Sequence, residues 1–338
     1  MTAERPLAVG AGAAAVTPSA RVAADRARLE SASPLLPAIT LPLQEFEPLP
    51  GGLTNRNYRI VAADSTVAVA RISSDSSAQL AIDRDAEFRN ACIAAESGVA
   101  PQVLGYAVGL GISVVEWIDG RTFEPADLDD SETLVRLAAA CRRLHASEPF
   151  VTDFDMFEIL HRYLDIVQRN GYRIPASYTE YLPLAARIEA ALAVHPEPVV
   201  PCHNDLLAAN LMSEDLPDGG QQLWLIDYEY AGNNDPCFEL GNIASESHLS
   251  VDRLDELVAA YFGAPSRARS ARARLYALMS NYGWTLWAAI QDSVSDVDFD
   301  FWAWGLEKYD RAEAAFASAD LSELINDVQQ LNESPRGS

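Results

Sequence analysis

Lysine is almost missing from this chain: Lys308 is the only one among 338 residues, and the other cationic side chains are arginines. No Gly-Lys-Ser/Thr exists anywhere, which excludes a Walker-type phosphate loop, because that loop needs its lysine on the β- and γ-phosphates. Positive charge is scarce as a whole, with 25 basic residues against 49 acidic and a net charge of −24. A general nucleic-acid binder needs a basic face to track phosphates, so no nucleic-acid partner is expected, and an anionic membrane surface is equally unsuited. The four cysteines (Cys92, Cys141, Cys202, Cys237) form no CxxC pair, which argues against a zinc or disulfide framework. They read as reduced, buried thiols of a cytoplasmic protein. No apolar run approaches the ~20 residues that span a bilayer, so stable membrane insertion is not expected. Leu7–Val16 is apolar enough for a short signal core, but Glu4 precedes it and a basic n-region is missing.

What is present points to a folded protein. Hydrophobic residues make up 49% of the chain, and its length suits two lobes, each with a core of its own. Residues 1–40 are alanine-rich and read as a mobile or loosely docked N-terminal extension, with a short helix around Ala23–Ser31. Within it Gly10, Gly12 and Ala15 match a dinucleotide fingerprint, but only Leu7–Val9 precede them, too short for the first strand of a βαβ unit. Residues 41–117 carry strand patterns at Phe46–Leu49, Tyr58–Ala62 and Thr66–Ile72, a helix over Ile82–Ser97, and strands near Val103–Val108 and Ile112–Trp117. That order, β-β-β-α-β-β, predicts a small sheet with one helix. Residues 118–338 turn mainly helical, beginning with a run capped by Ser131 and followed by helices near 155–169, 178–193, 252–262, 266–292 and 300–317. An island at 199–230 interrupts them with two short strands about the turn Asp218-Gly219-Gly220. The fold class is α+β.

The strongest chemical signal is Cys202-His203-Asn204-Asp205-Leu206-Leu207-Ala208-Ala209-Asn210, followed by Ile226-Asp227-Tyr228-Glu229-Tyr230. A carboxylate (Asp205) and a carboxamide (Asn210) stand five residues apart on a loop, and a second carboxylate (Asp227) ends a hydrophobic strand. Phosphoryl transfer needs one group to orient and deprotonate the attacking hydroxyl, and oxygen ligands to hold magnesium against the triphosphate. HxDxxxxN with a strand-terminal aspartate supplies both. His203 by itself reads as a core histidine donating to backbone. Upstream, Gly51, Gly52, Thr54, Asn55 and Asn57 lie between two strands, where small residues let backbone N–H groups approach a phosphate. The strand Val67–Ile72 offers Arg71 as the phosphate-holding cation, and the next helix offers Glu87 to brace it.

These motifs (GGLTNRNY, VARIS, CHNDLLAANLM and LIDYEYAGNNDPCFELGN) make residues 45–317 resemble the choline/ethanolamine kinase family, within the wider aminoglycoside-phosphotransferase and protein-kinase-like superfamily. The resemblance implies a protein-kinase-like two-lobe fold: a small β-rich N-lobe with one helix, and a larger, mainly helical C-lobe. It implies ATP and Mg2+ as cofactors, Asp205 as the catalytic aspartate, and Asn210 and Asp227 as metal ligands. Val115–Ile118 becomes the hinge meeting adenine, with Glu116 and Ile118 as its contacts. Leu207 departs from the pattern, because animal choline kinases carry a polar residue there.

Trp284 and Trp287 stand at i and i+3 on one helix face, with Phe299, Phe301, Trp302 and Trp304 close behind. Aromatic faces hold quaternary ammonium groups without needing hydrogen-bond donors. By the resemblance, Trp284, Trp287, Trp304, Tyr230 and Glu246 line a choline pocket, whereas Phe299, Phe301 and Trp302 read as core. The expected reaction moves the ATP γ-phosphate to the hydroxyl of a small cationic alcohol, most simply choline. Ethanolamine, thiamine and aminoglycosides remain as other acceptors, and a nucleotide-binding pseudokinase remains from a different class. A homodimer is left open.

Overall fold

The computed structural model describes residues 17–73, 80, 82–295 and 297–330. The glycines at 10 and 12 and the Leu7–Val16 segment lie outside the described residues. The N-terminal half contains α1 (Pro18–Ala32), β1 (Glu45–Pro48), β2 (Asn55–Val61), β3 (Val67–Ser73), α2 (Arg84–Glu96), β4 (Val103–Ala107) and β5 (Ile112–Glu116). The rest contains β6 (Arg121–Thr122), α3 (Ser131–His145), α4 (Met156–Asn170), α5 (Leu182–Leu192), β7 (Val200–Cys202), β8 (Leu211–Asp215), β9 (Gln221–Leu225) and β10 (Gly232–Asn234), followed by α6 (Pro236–Ser247), α7 (Val251–Phe262), α8 (Arg267–Val294), α9 (Phe301–Phe316) and α10 (Leu321–Val328).

The first five strands form one antiparallel sheet in the order β1-β2-β3-β5-β4. Side chains alternate across a strand, and β3 shows the consequence. Ala68, Ala70 and Ile72 are fully buried on one face, so Arg71 must point from the other. The buried face is covered by the N-terminal segment, which overturns the expectation of a loosely docked extension for residues 18–39. Leu29, Ala32, Leu36 and Ile39 join Ile60, Ile72, Ile112 and Val114 in a single apolar cluster. Asp25 fixes this arrangement by accepting from Arg56 (2.6 and 2.9 Å) and from the Tyr58 hydroxyl (2.6 Å). Burial disfavours the Asp25 charge, yet these hydrogen bonds prevail and hold its carboxyl below the usual range.

In the helical half α8 is central, lying against α4, α6, α9 and α10. Its approach to α6 requires Gly241, because a β-carbon there would stand 2.4 Å from the Ala273 carbonyl oxygen. Two local readings need correction. Asp130, not Ser131, caps α3, accepting from the Thr133 N–H at 2.8 Å. Residues 236–247, given no helix above, form α6 behind the cap Asp235 and Pro236, a proline position that suits a helix start. Among the described residues no helix is long and apolar enough to cross a membrane.

Candidate active site

The loop after β7 is held from behind by a buried carboxylate that sequence reasoning missed. Glu239 on α6 accepts from the backbone N–H groups of His203 (2.8 Å) and Asn204 (2.7 Å). Asn204 adopts φ +67°, and its amide donates to the carbonyls of Tyr230 (3.0 Å) and Gly232 (3.1 Å), tying the loop to the strand after Asp227. His203 is buried and its Nε2 lies 2.8 Å from the Ile226 carbonyl, which can only accept, so Nε2 carries the proton. Burial keeps this imidazole neutral by lowering its pKa. The histidine is a brace, as its residue type suggested.

Asp205 and Asn210 come together at the mouth of this loop. The Asn210 amide donates to the Asp205 carbonyl at 2.8 Å and lies 3.4 Å from its carboxylate. Burial raises the Asp205 pKa well above the usual range, and the charges of Glu246, Glu229 and Asp227 raise it further, while Lys308 opposes them. A carboxylate with that environment has an increased appetite for a proton.

From the sheet, Arg71 reaches down and donates to Asp227 Oδ1 at 2.5 Å, with Glu87 farther away at 3.6 Å. Arg84 bridges Glu87 (2.6 Å) and Glu229 (3.3 Å). Burial works against the Arg71 charge, but Asp227, Glu87 and Glu229 outweigh it and raise its pKa. The expected cation, its helix glutamate and the strand-terminal carboxylate therefore share one part-buried network, in which Glu87 grips Arg84 more closely than Arg71. Arg71→Ala should raise the KM for ATP and lower kcat, and Arg71→Lys should fall between it and the parent, because lysine keeps the charge and loses the fork. Steady-state kinetics with ATP as the varied substrate checks this; unaltered KM and kcat in Arg71→Ala would reduce the residue to a packing element.

The glycine loop behaves differently from expectation in part. Gly51 and Gly52 both have positive φ, and a β-carbon on Gly52 would meet the Asn55 carbonyl oxygen at 2.5 Å, so the turn demands glycine. Thr54 and Asn55, expected at the phosphates, instead direct their side chains to Glu229: the hydroxyl to both oxygens (2.8 and 2.7 Å) and the amide to Oε2 (3.0 Å). They are buried and join the loop to the second lobe. Burial, then the Asp227 charge, pushes Glu229 up to about 7 in spite of Arg84. Asn57 lies on β2 with its amide nitrogen 3.2 Å from where a Gly52 β-carbon would be. At the end of β5 the Glu116 N–H donates to the Gln102 carbonyl at 2.8 Å, and Ile118 is buried just beyond.

The aromatic residues converge as a chain of rings. Trp304 and Trp287 meet at 5.4 Å, the Trp287 indole donates to the Tyr230 hydroxyl at 2.8 Å, and Tyr230 meets Trp284 edge-on at 5.0 Å. Trp284 is nearly buried and donates to Asn242 Oδ1 at 3.2 Å. Glu246 and Trp304, expected to receive an ammonium, receive that of Lys308. Its Nζ lies 2.6 Å from Glu246 Oε1 and 4.3 Å from the Trp304 ring centroid. Phe301 is core, as expected, but Phe299 is exposed and Trp302 stacks under Arg173 at 4.0 Å, so those two are not. Beside Tyr230 and Glu229 a cleft of about 510 Å³ opens, lined also by Asp83, Glu87, Asp153 and Glu158.

The model of the phosphotransferase enzyme family (APH) matches residues 45–278. A choline/ethanolamine kinase family protein from Mesorhizobium loti superposes with a TM-score of 0.75 at 30% identity, covering 90% of this chain and 99% of that one. Choline kinase LicA from Streptococcus pneumoniae superposes with a TM-score of 0.73 at 23% identity, covering 87% and 99%, and likewise supports the two-lobe α+β fold. Ethanolamine kinase 2 from Mus musculus is 27% identical over 264 residues, which are 69% of this chain and 66% of its own length.

Proposed function

Because the chain belongs to the phosphotransferase enzyme family, in its choline/ethanolamine kinase group, we propose that this kinase phosphorylates the hydroxyl of choline. The observation that carries the reading is the ring chain Trp304–Trp287–Tyr230–Trp284, in which Tyr230 stands three residues beyond Asp227. A trimethylammonium offers apolar methyl groups and diffuse charge to such faces. The acidic lining of the adjoining cleft favours the approach of a cation.

In this proposal Asp205 orients the acceptor hydroxyl and takes its proton, helped by the raised proton affinity that burial and neighbouring carboxylates confer. Arg71 and the backbone of the 51–57 loop hold the phosphates, and the 115–118 segment meets the base. The donor set at Asn210 and Asp227 suits magnesium. The Asn210 nitrogen is spent on the Asp205 carbonyl, which leaves its Oδ1 as one hard oxygen donor. The Asn210 backbone carbonyl accepts from the Ile226 N–H at 2.9 Å, next to Asp227, whose carboxylate is the other. When bound, magnesium offsets charge on the β- and γ-phosphate oxygens.

A coupled ADP assay across choline, ethanolamine, thiamine and an aminoglycoside tests the reading, with choline expected to give the highest kcat/KM. Replacing Trp287 with Ala should raise the KM for choline about tenfold, since one cation–π contact in a desolvated site contributes on the order of 1–2 kcal/mol. The KM for ATP should move little, because the two ligands approach the transferred phosphate from opposite sides. Preference for a different acceptor by the parent enzyme would make the rings core packing and end the choline assignment.

A further inference from the structure

Every other cation in this chain is an arginine or a histidine, and the one lysine is placed where the acceptor's ammonium was expected. Lys308 on α9 is only 2% exposed. A buried ammonium is costly unless paired, and Glu246 on α6 supplies the pair at 2.6 Å. Its compact charge also covers one face of Trp304 at 4.3 Å, which a planar guanidinium would fill differently. The pair borders the ring chain, because Trp304 meets Trp287 at 5.4 Å and Trp287 donates to the Tyr230 hydroxyl at 2.8 Å.

Two groups that could serve a substrate are thereby taken. A primary ammonium carries three N–H donors, and leaving water without acceptors is unfavourable for it. A quaternary ammonium has no N–H donors, so it loses no hydrogen bond when the carboxylate is withdrawn. We propose that Lys308 is a specificity-determining residue: by holding Glu246 and one face of Trp304 it denies the pocket's carboxylate to the acceptor and so favours a quaternary over a primary ammonium. The inference rests on the amino-alcohol reading given above.

The test is steady-state kinetics with choline and ethanolamine on the parent enzyme, Lys308→Met, Glu246→Gln and the double variant, with melting temperatures alongside. Methionine keeps the length and removes the charge. In Lys308→Met the freed carboxylate accepts from ethanolamine, so the choline-to-ethanolamine ratio of kcat/KM should fall about tenfold or more, through the KM for ethanolamine. Glu246→Gln strands the lysine ammonium beside the rings, so KM should rise for both alcohols while kcat moves less. The double variant should return the ratio towards that of the parent. A pair that only braces α9 against α6 would lower the melting temperatures and leave the ratio and both KM values where they were, which overturns the inference. Glu246→Gln and the double variant give that answer even where Lys308→Met does not fold. A parent enzyme that phosphorylates neither alcohol contradicts the acceptor reading and this inference with it. A parent active on either alcohol, with a ratio that no variant moves, contradicts the role of Lys308 alone.

Discussion

Asp205→Ala is expected to lower kcat by at least the about 10²–10⁴-fold that a positioned general base contributes, with more lost through positioning of the hydroxyl. The fold should survive, because the loop does not depend on this side chain. Its backbone is held by Glu239 on the His203 and Asn204 N–H groups, and by the Asn210 amide on the Asp205 carbonyl. Among the described residues the carboxylate itself has only a 3.4 Å approach to the Asn210 amide. Its pKa is raised by burial and by three neighbouring carboxylates, so above its unfolded pKa the charged side chain opposes folding. Removing it should therefore leave the melting temperature at neutral pH unchanged or higher, the usual trade at a functional site. Rapid-mix kinetics and thermal melts on the same preparation check both halves; wild-type kcat on the best acceptor would make the assignment wrong.

Asp227→Ala is expected to remove magnesium-dependent ATP binding. Loss of an outer-shell group commonly costs about 10–100-fold in metal affinity or activity, and loss of a direct ligand should exceed that. Asp227 adopts φ +72° just after β9, and Ile226 before it is fixed by the Asn210 carbonyl (2.9 Å) and by His203 (2.8 Å), so the carboxylate is aimed by its backbone. The variant also strips Arg71 of its 2.5 Å partner, and the guanidinium is left with Glu87 and Glu229. Asp227→Asn, which keeps the shape, separates lost charge from lost packing. Calorimetric titration with ATP, with and without magnesium, decides the matter: an unchanged affinity and an unchanged magnesium dependence would remove the metal role.

Much of the site was legible because its chemistry is local. HxDxxxxN places Asp205 and Asn210 on one turn whatever surrounds them, and a hydrophobic strand ending in Asp227 announces its own boundary. Arg71 follows from strand alternation once the buried partners are Ala68, Ala70 and Ile72. The residues that escaped notice act across long separations. Glu239 reaches a loop 35 and 36 residues earlier, and Glu229 reaches Thr54 and Asn55 across 175 and 174 positions. A buried glutamate of this kind looks like any other acidic residue until the fold supplies its donors. Asp25 stayed hidden for the same reason, and with it the docking of α1, an alanine- and arginine-rich helix with little apolar periodicity of its own. Lys308 stood out by rarity, but only the packing of α9 on α6 reveals that it meets Glu246.

Transfer of a phosphoryl group from ATP to a cationic alcohol is tested most directly by identification of the product. Phosphorus NMR of the protein with ATP, magnesium and choline should show a new phosphomonoester growing in step with ADP, and Asp205→Ala should not form it. ADP accompanied by inorganic phosphate and unaltered choline, or no ADP at all, would contradict the account.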